Sequence, residues 1–548
     1  MVKYYMMDIL IITLVFVFIL IFTIFPAIYA ILSAFISNNG ISFGLLCQTL
    51  KASYFYQSLF ISFAYSLTVT LISTFVSFFL AKWMKKYKTI TFLLAVVWII
   101  PPYIGIPIWR AMLENTKFIN LYSNPFHTFF SASLVSSWFL IPFSAFFIYS
   151  VVEKINKKYF EAFSLESNNF TIYYLKIVFP NIKNEFYSIL LLNFINAFKD
   201  FQTPWLLTEG GAPTKFGLTA KGIIGSTTNL EVLIYKFFNS EININELGAI
   251  STLTIFFISF LIFVWYKLKN KQIKTTKKTI SLIRLNLLSY FEVILIILWI
   301  FSIIVILYSI LHLSFSDSTN IFLKGNFTLN NFRYIISDNF LTAIKNSLFI
   351  AVFTGFFTTF LSSIFAFKLS NYKNGEKFIS FLNSLKIITG IHLLVFIFFL
   401  MAKVHLLNTL TSIILLSVSR ELPLGTLLFF SFYKEFPRDL FYLSKLDGVS
   451  SNIFFWKILI PNSIPIMISI FLLGFLASFN AFISPLILLF DEAKYPISIK
   501  LFNYVGTISN HYPEWNYFSA GSILNLLILL VIIFILRKFV NFSYLKDL

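Results

Sequence analysis

"EAFSLESNNFTIYYLKIVFPN" spans Glu161–Asn181, and "YLSKLDGVSSNIFFWKILIPN" spans Tyr442–Asn462. Both are more polar than their flanks, which are far too apolar for a water-soluble chain. A shift of 281 residues lays one on the other: Lys176 falls on Lys457, Ile177 on Ile458, Pro180 on Pro461 and Asn181 on Asn462. The register continues on both sides. Pro142 meets Pro423, and Ser188, Leu191, Phe194, Phe198 and Pro204 meet Ser469, Leu472, Phe475, Phe479 and Pro485. Further upstream the shift becomes 289, where "SLFI" at Ser58 meets "SLFI" at Ser347. Apolar helices match by chance; paired prolines and Lys-Ile-x-x-Pro in one register do not. The chain reads as an internal repeat.

Composition sets the class. The 548 residues are 58% hydrophobic and 12% charged, with 72 Phe and a mean hydropathy of +0.83. A soluble domain carries about 25% charged residues. Twelve apolar stretches are long enough to span a bilayer, at 9–36, 57–83, 89–110, 127–151, 184–207, 247–267, 289–313, 343–369, 379–402, 410–432, 464–490 and 516–537. A span takes about 20 residues, and in lipid its backbone must be satisfied internally, so these stretches are expected as helices. The first is too long for the apolar core of a signal peptide and reads as a retained span. The expected class is an all-α integral membrane protein of about twelve transmembrane helices.

The net charge of +19 does not point to nucleic acid. With the N-terminus in the cytoplasm, most Lys and Arg fall on the inside, as the positive-inside rule requires. Clusters occur at Lys82, Lys85, Lys86 and Lys88, and at Lys267, Lys269, Lys271, Lys274, Lys277 and Lys278. The single cysteine, Cys47, permits no internal disulfide. The five histidines are scattered, so no metal-ligand or catalytic set is seen. No G-x-x-x-x-G-K-[ST] occurs, so the chain carries no P-loop of its own.

The repeat divides the chain into halves at 1–268 and 289–548, joined by a basic cytoplasmic linker at 269–288. Six spans per half is an even number, so both halves share one orientation and both termini are expected in the cytoplasm. A parallel repeat of this kind places a pathway at the interface of its halves. The repeated loops, 153–183 and 434–463, then face the cytoplasm. Each is expected to hold two short helices with a bend between them. Ser167–Asn169 and Gly448 mark the bends, because Asn and Gly tolerate the left-handed conformation. The second helix is expected to stop at Pro180 and Pro461, since proline disfavours helix at the residue before it. Tyr173, Tyr174, Phe454, Phe455 and Trp456 then form an aromatic face that needs cover, from lipid headgroups or from a groove on a soluble protein.

These loops resemble the E-A-A loops of ABC-importer permeases, in which E-A-A precedes a Gly and then I-x-L-P. Glu161, Ala162, Ile177 and Pro180 match, with Phe163, Ser167 and Phe179 as departures. In the second copy Gly448, Ile458 and Pro461 match, while Tyr442, Leu443 and Ser444 replace E-A-A. Other stretches are similar to the sugar-type pair of maltose and glycerol-phosphate importers. They include "IFPAIYAILSAF" (Ile24–Phe35), "LLTEGGAP" (Leu206–Pro213), "ASFNAFISPLILLF" (Ala477–Phe490) and "YPISIKLFNYVG" (Tyr495–Gly506). The resemblance covers nearly the whole chain, in the order first subunit, then second, fused.

The resemblance implies two parallel six-helix repeats of the type I importer fold in a prokaryotic inner membrane. It implies two ATPase copies that use ATP-Mg and bind the loops, and a solute-binding protein outside. The loops at 38–56, 111–126, 208–246 and 491–515 would meet that protein. The solute would be a sugar or related polyol. Fused permeases for ferric iron or thiamine form the alternative, and an ATP-independent secondary carrier is the competing class. The chain itself would be no enzyme.

Ionisable and amide groups inside spans are candidates for solute contact. Asn193, Asn196, Lys199, Asp200 and Gln202 lie in one expected span, and Lys199 aligns with Asn480. Several are three or four residues apart and so can share a helix face. The alternative is that Lys199 and Asp200 are structural. Arg420 and Glu421 are adjacent and cannot face each other, so each needs another partner. Lys386 and His392 are weaker candidates. Pro101–Pro102 is expected to kink the third span.

Overall fold

The computed structural model describes residues 2–37, 40–114, 116, 119, 121–156, 158–166, 170–219, 222–240, 243–269, 282–370, 372, 374–506 and 513–537. Ser167 and most of the basic linker lie outside them. The principal helices are α1 (Val2–Phe35), α2 (Ser53–Lys86), α3 (Lys88–Ile99), α4 (Pro102–Glu114), α5 (Pro125–Glu153), α6 (Lys158–Glu166), α7 (Phe179–Phe198) and α8 (Ile244–Lys269). They continue with α9 (Leu282–Ser314), α10 (Phe340–Ser370), α11 (Gly375–Ile388), α12 (Ile391–Lys403), α13 (Leu410–Glu435), α14 (Arg438–Leu446), α15 (Ile464–Phe479) and α16 (Trp515–Arg537). Two short strand pairs add little, the longer being Pro213–Thr219 antiparallel to Gly222–Gly225.

Among the described residues, eight helices are long and apolar enough to cross a membrane unbroken, and three further candidate spans are bent pairs. Several of the expected spans are therefore not single straight helices. The third span of each half is a hinge: α3 and α4 meet at 95°, and α11 and α12 at 94°. Pro101–Pro102 explains the first bend, since neither residue can donate to an interior helix bond. Gly390, extended at the N-cap of α12, marks the second. The stretch expected at 184–207 is not one helix. It stops at Phe198 and resumes as Gln202–Thr208; its repeat stops at Phe479 and resumes as Ile483–Leu488. Breaks at the same repeat position, in both copies, put irregular backbone within a membrane segment. Such backbone is tolerated where protein buries it or a cavity receives it.

The chain forms two compact units that cross the covalent halves. One is built on Arg333–Asn503 and includes α1; the other is built on Ser37–Phe332 and includes α9. The leading helix of each half thus packs with the other half's core. Within the 333–503 unit, α10 packs on α13 and α15. Gly474 lies against Gly355, where an added Cβ would stand 3.3 Å from the Gly355 Cα. Small residues allow that approach, and in lipid close packing rather than water exclusion holds helices together. In the 37–332 unit, α2 packs on α5 and α7. Ser77 Oγ donates to Ile141 O at 3.0 Å, tying α2 to α5 through the backbone.

Candidate functional site

Both repeated loops begin with a nine-residue helix, α6 and α14. The end of α14 is a Schellman turn. Gly448 has φ +73°, its N–H donates to Lys445 O at 3.1 Å, and Val449 N–H donates to Ser444 O at 2.9 Å. Those two bonds satisfy carbonyls at the helix end and require the left-handed residue. Ser450 then caps the next helix, its Oγ accepting from Ile453 N–H.

Pro180 does not stop the second helix, which runs on into α7, whereas in the second copy the helix ends at Asn462, just after Pro461, and bends by 78° into α15. Phe170–Tyr173 passes through a π turn at Tyr174–Val178 into α7, and Ser451–Phe454 passes through a π turn at Phe455–Leu459. The widened turn sends the Phe179 N–H to Tyr174 O and the Ile460 N–H to Phe455 O, just before each proline. A π turn opens the ladder where the pyrrolidine ring would otherwise meet a carbonyl. Asn181 and Asn462 then donate from Nδ2 to Ile177 O and Ile458 O, each at 2.7 Å. The shared K-I-x-x-P-N therefore encodes one backbone device, present in both copies. Ile177, Pro180 and Ile458 are half-buried within it, and Pro461 is exposed.

The aromatic face expected to need cover is, for the most part, already covered. Tyr173 packs on Phe160 and Phe163 of α6, with ring centres 5.1 and 5.5 Å apart. Tyr174 meets Phe78 of α2 at 5.1 Å. Phe454 meets Phe441 at 5.1 Å, and Phe455 meets Phe367 at 4.8 Å. Burial pushes the Tyr173 and Tyr174 phenols above their ordinary range, so both stay neutral. Of the five aromatic residues only Trp456 is exposed. The open apolar surface lies instead on the first helix of each loop. Leu165 is 89% exposed and Leu446 83%, at equivalent repeat positions. Tyr159 and Ala162 extend the face on α6, as Leu440 and Leu443 do on α14. Glu161 and Tyr442 are both exposed beside it.

The polar residues of the fifth span separate into two groups. Asn193 is fully buried, and its Nδ2 lies within hydrogen-bond reach of Ser73, Thr74 and Ser144 hydroxyls at 3.3, 3.1 and 2.8 Å. Asp200 accepts from Tyr65 Oη at 2.9 Å, Ser136 Oγ at 2.7 Å and Thr203 N–H at 3.1 Å. These two side chains knit α2, α5 and the broken span together. Asn196 is exposed, and Lys199 and Gln202 are partly exposed at the break. In the other unit Asn480 sits at the matching break, its Oδ1 buried without a hydrogen-bond partner among the described residues. Glu421 finds Lys386, at 2.8 Å. Arg420 reaches Ser484 Oγ at 3.5 Å. The His392 ring Nε2 lies 2.8 Å from Ile388 O.

A sequence profile for "Binding-protein-dependent transport system inner membrane component" matches residues 81–275, from the end of α2 through the first loop and beyond α8. The trehalose/maltose transport permease MalG of Thermococcus litoralis is 28% identical over 39% of this chain and 78% of its own length. The arabinooligosaccharide transport permease AraQ of Halalkalibacterium halodurans is 28% identical over 40% of this chain and 80% of its own. The chain is thus similar to sugar-type ABC-importer permeases. A solved bacterial ABC transporter, described as importing the acidic polysaccharide alginate, overlaps 48% of this chain and 99% of its own at TM-score 0.38 and 16% identity, too weak a likeness to carry weight.

The permease is a multi-pass inner-membrane transport component rather than an enzyme. Its family implies an ATPase and a solute-binding protein as partners. One of its buried features escaped the sequence reading. Lys82, counted there only among the inside charges, is buried at the end of α2 and paired with buried Glu292 of α9. The available signal was Glu292 itself, an acidic residue at the start of a long apolar run.

Proposed function

We propose that this permease carries a sugar or related polyol across the inner membrane, driven by two ATPase copies, one on each loop helix. The observation that carries the coupling is the matched pair of exposed apolar faces on α6 and α14. A leucine nearly bare to solvent at the same repeat position in both halves suits helix-in-groove docking. The solute class follows the relatives, whose names specify trehalose/maltose and arabinooligosaccharides. The basic segments then face the cytoplasm, as do both termini. ATP-Mg acts on the partner, and its binding favours one of two bundle arrangements to which the solute is coupled. Asn196, Lys199 and Gln202 at the break of the first half, and Asn480 at the break of the second, are the candidate solute contacts, while Asn193 and Asp200 hold the bundle.

The test is co-purification of the ATPase with Leu165→Asp, Leu446→Asp and the double variant. Exposed positions tolerate such changes within about 0.5 kcal/mol of stability. Loss of a central docking side chain costs about 2 kcal/mol or more of binding, over tenfold. Each single variant should stay in the membrane and retain less ATPase, and the double variant none. Full retention by all three would mean that these helices rest on lipid headgroups. Uptake of labelled maltose, challenged with unlabelled sugars, ferric citrate or thiamine, tests the solute class.

A further inference from the structure

We propose that Arg420 recognises an anionic group on the transported solute, so that the sugar carried is an acidic one bearing a carboxylate or a phosphate. The inference rests on the sugar-permease reading and narrows its substrate. Arg420 is the eleventh residue of the 26 in α13, an unbroken apolar span, which places it near the bilayer centre. A guanidinium there costs about 2.5–3.5 kcal/mol on insertion scales, and such residues face a bundle interior or an aqueous cavity. The adjacent carboxylate does not offset that cost fully. Glu421 is held by Lys386 at 2.8 Å, and consecutive helical residues diverge.

Among the described residues, Arg420 makes one hydrogen bond, the 3.5 Å contact from Nη1 to Ser484 Oγ. A guanidinium has five N–H donors in a planar fork that matches a carboxylate or phosphate. Four donors are therefore left for something else. The contact to Ser484 also fixes where they are offered. Ser484 is the second residue after the break that ends α15, and Asn480 opens that break with a buried, unpartnered Oδ1. A cation with spare donors and an amide oxygen with a spare acceptor thus flank one interrupted membrane helix. Together they suit a solute that carries both an anionic group and hydroxyls. A basic residue, Lys199, stands at the matching break of the other half, and its neighbour Asp200 spends its carboxylate on Tyr65, Ser136 and the Thr203 N–H.

The experiment measures ATP-driven uptake by the full importer of two labelled probes, maltose and a glucuronate-containing disaccharide. Wild type, Arg420→Gln and Arg420→Lys are compared. The binding protein filters both probes identically in all three, so a change in the acid-to-neutral ratio belongs to the permease. The expected result is that wild type prefers the acidic probe. Arg420→Gln should lower acidic uptake at least tenfold with maltose unchanged, and Arg420→Lys, which keeps the charge but not the fork, should fall between. A wild-type ratio that Arg420→Gln leaves unaltered overturns the proposal while the sugar reading stands. Equal loss of both probes in Arg420→Gln, with Arg420→Lys restoring both, also overturns it and makes the residue structural. Uptake of neither probe by wild type overturns both readings.

Discussion

Asp200 shows how a carboxylate within a membrane segment can be structural. Its oxygens accept three donors, from Tyr65, Ser136 and the Thr203 N–H. Asp200→Asn places an amide N–H₂ where acceptors are required. The expected cost is about 1–3 kcal/mol, read as a lower melting temperature of the detergent-purified permease. Unchanged melting with impaired uptake would return Asp200 to the pathway. Gly448 is constrained differently. Nothing lies within 4 Å of an added Cβ, so space is not the issue. The left-handed φ is, and it costs an ordinary residue about 1–2 kcal/mol. Gly448→Val should therefore lower ATP-driven uptake with little change in the amount of protein in the membrane. Full uptake would show that the turn does not need its geometry. Gly448 could be read from sequence because a left-handed turn has a residue signature. Asp200's role could not, because two of its three donors come from α2 and α5, distant in sequence.

At the scale of elements, the π turns explain why K-I-x-x-P-N occurs twice. The sequence marks the prolines; Pro461 comes one residue before a helix end at Asn462, but Pro180 is no stop. Helix continuation depends on the Phe179 and Ile460 N–H groups reaching five residues back, a choice that local preference alone does not make. Pro461→Ala restores an N–H and lets the turn tighten to α. With 3.6 residues per turn, removing one residue of phase rotates the preceding segment by about 100°. Leu446 would then leave its docking position. The expected outcome is ATPase retention reduced about tenfold with melting nearly unchanged, and normal retention would divorce the π turn from coupling. The aromatic residues teach the same lesson. Tyr173, Tyr174, Phe454 and Phe455 looked like a face to be covered by a partner, but the loop's own first helix and the membrane helices cover them. The open apolar surface lies instead at Leu165 and Leu446, where a short amphipathic helix has little left to pack on.

At the scale of the whole molecule, α1 belongs with Arg333–Asn503 and α9 with Ser37–Phe332. The basic linker is then not the sole connection between the halves. Co-expression of 1–275 and 276–548 as separate chains should restore most uptake, whereas 37–548 alone should restore little, because its core lacks α1. Uptake equal to wild type from 37–548 would show α1 to be dispensable.

By itself the sequence determined the membrane class, the approximate positions of the spans, the internal repeat and the two loops. These follow from composition, apolar run length and residues recurring in register, all properties of the linear chain. Tertiary structure decided which helix joins which unit, which spans bend, and which side chains are spent. Lys82 became an ion-pair partner, Asp200 a brace, and the loop aromatics an interior. Those outcomes depend on groups far apart in sequence meeting in a medium where an unmet polar group is costly, so no window of neighbouring residues could have settled them.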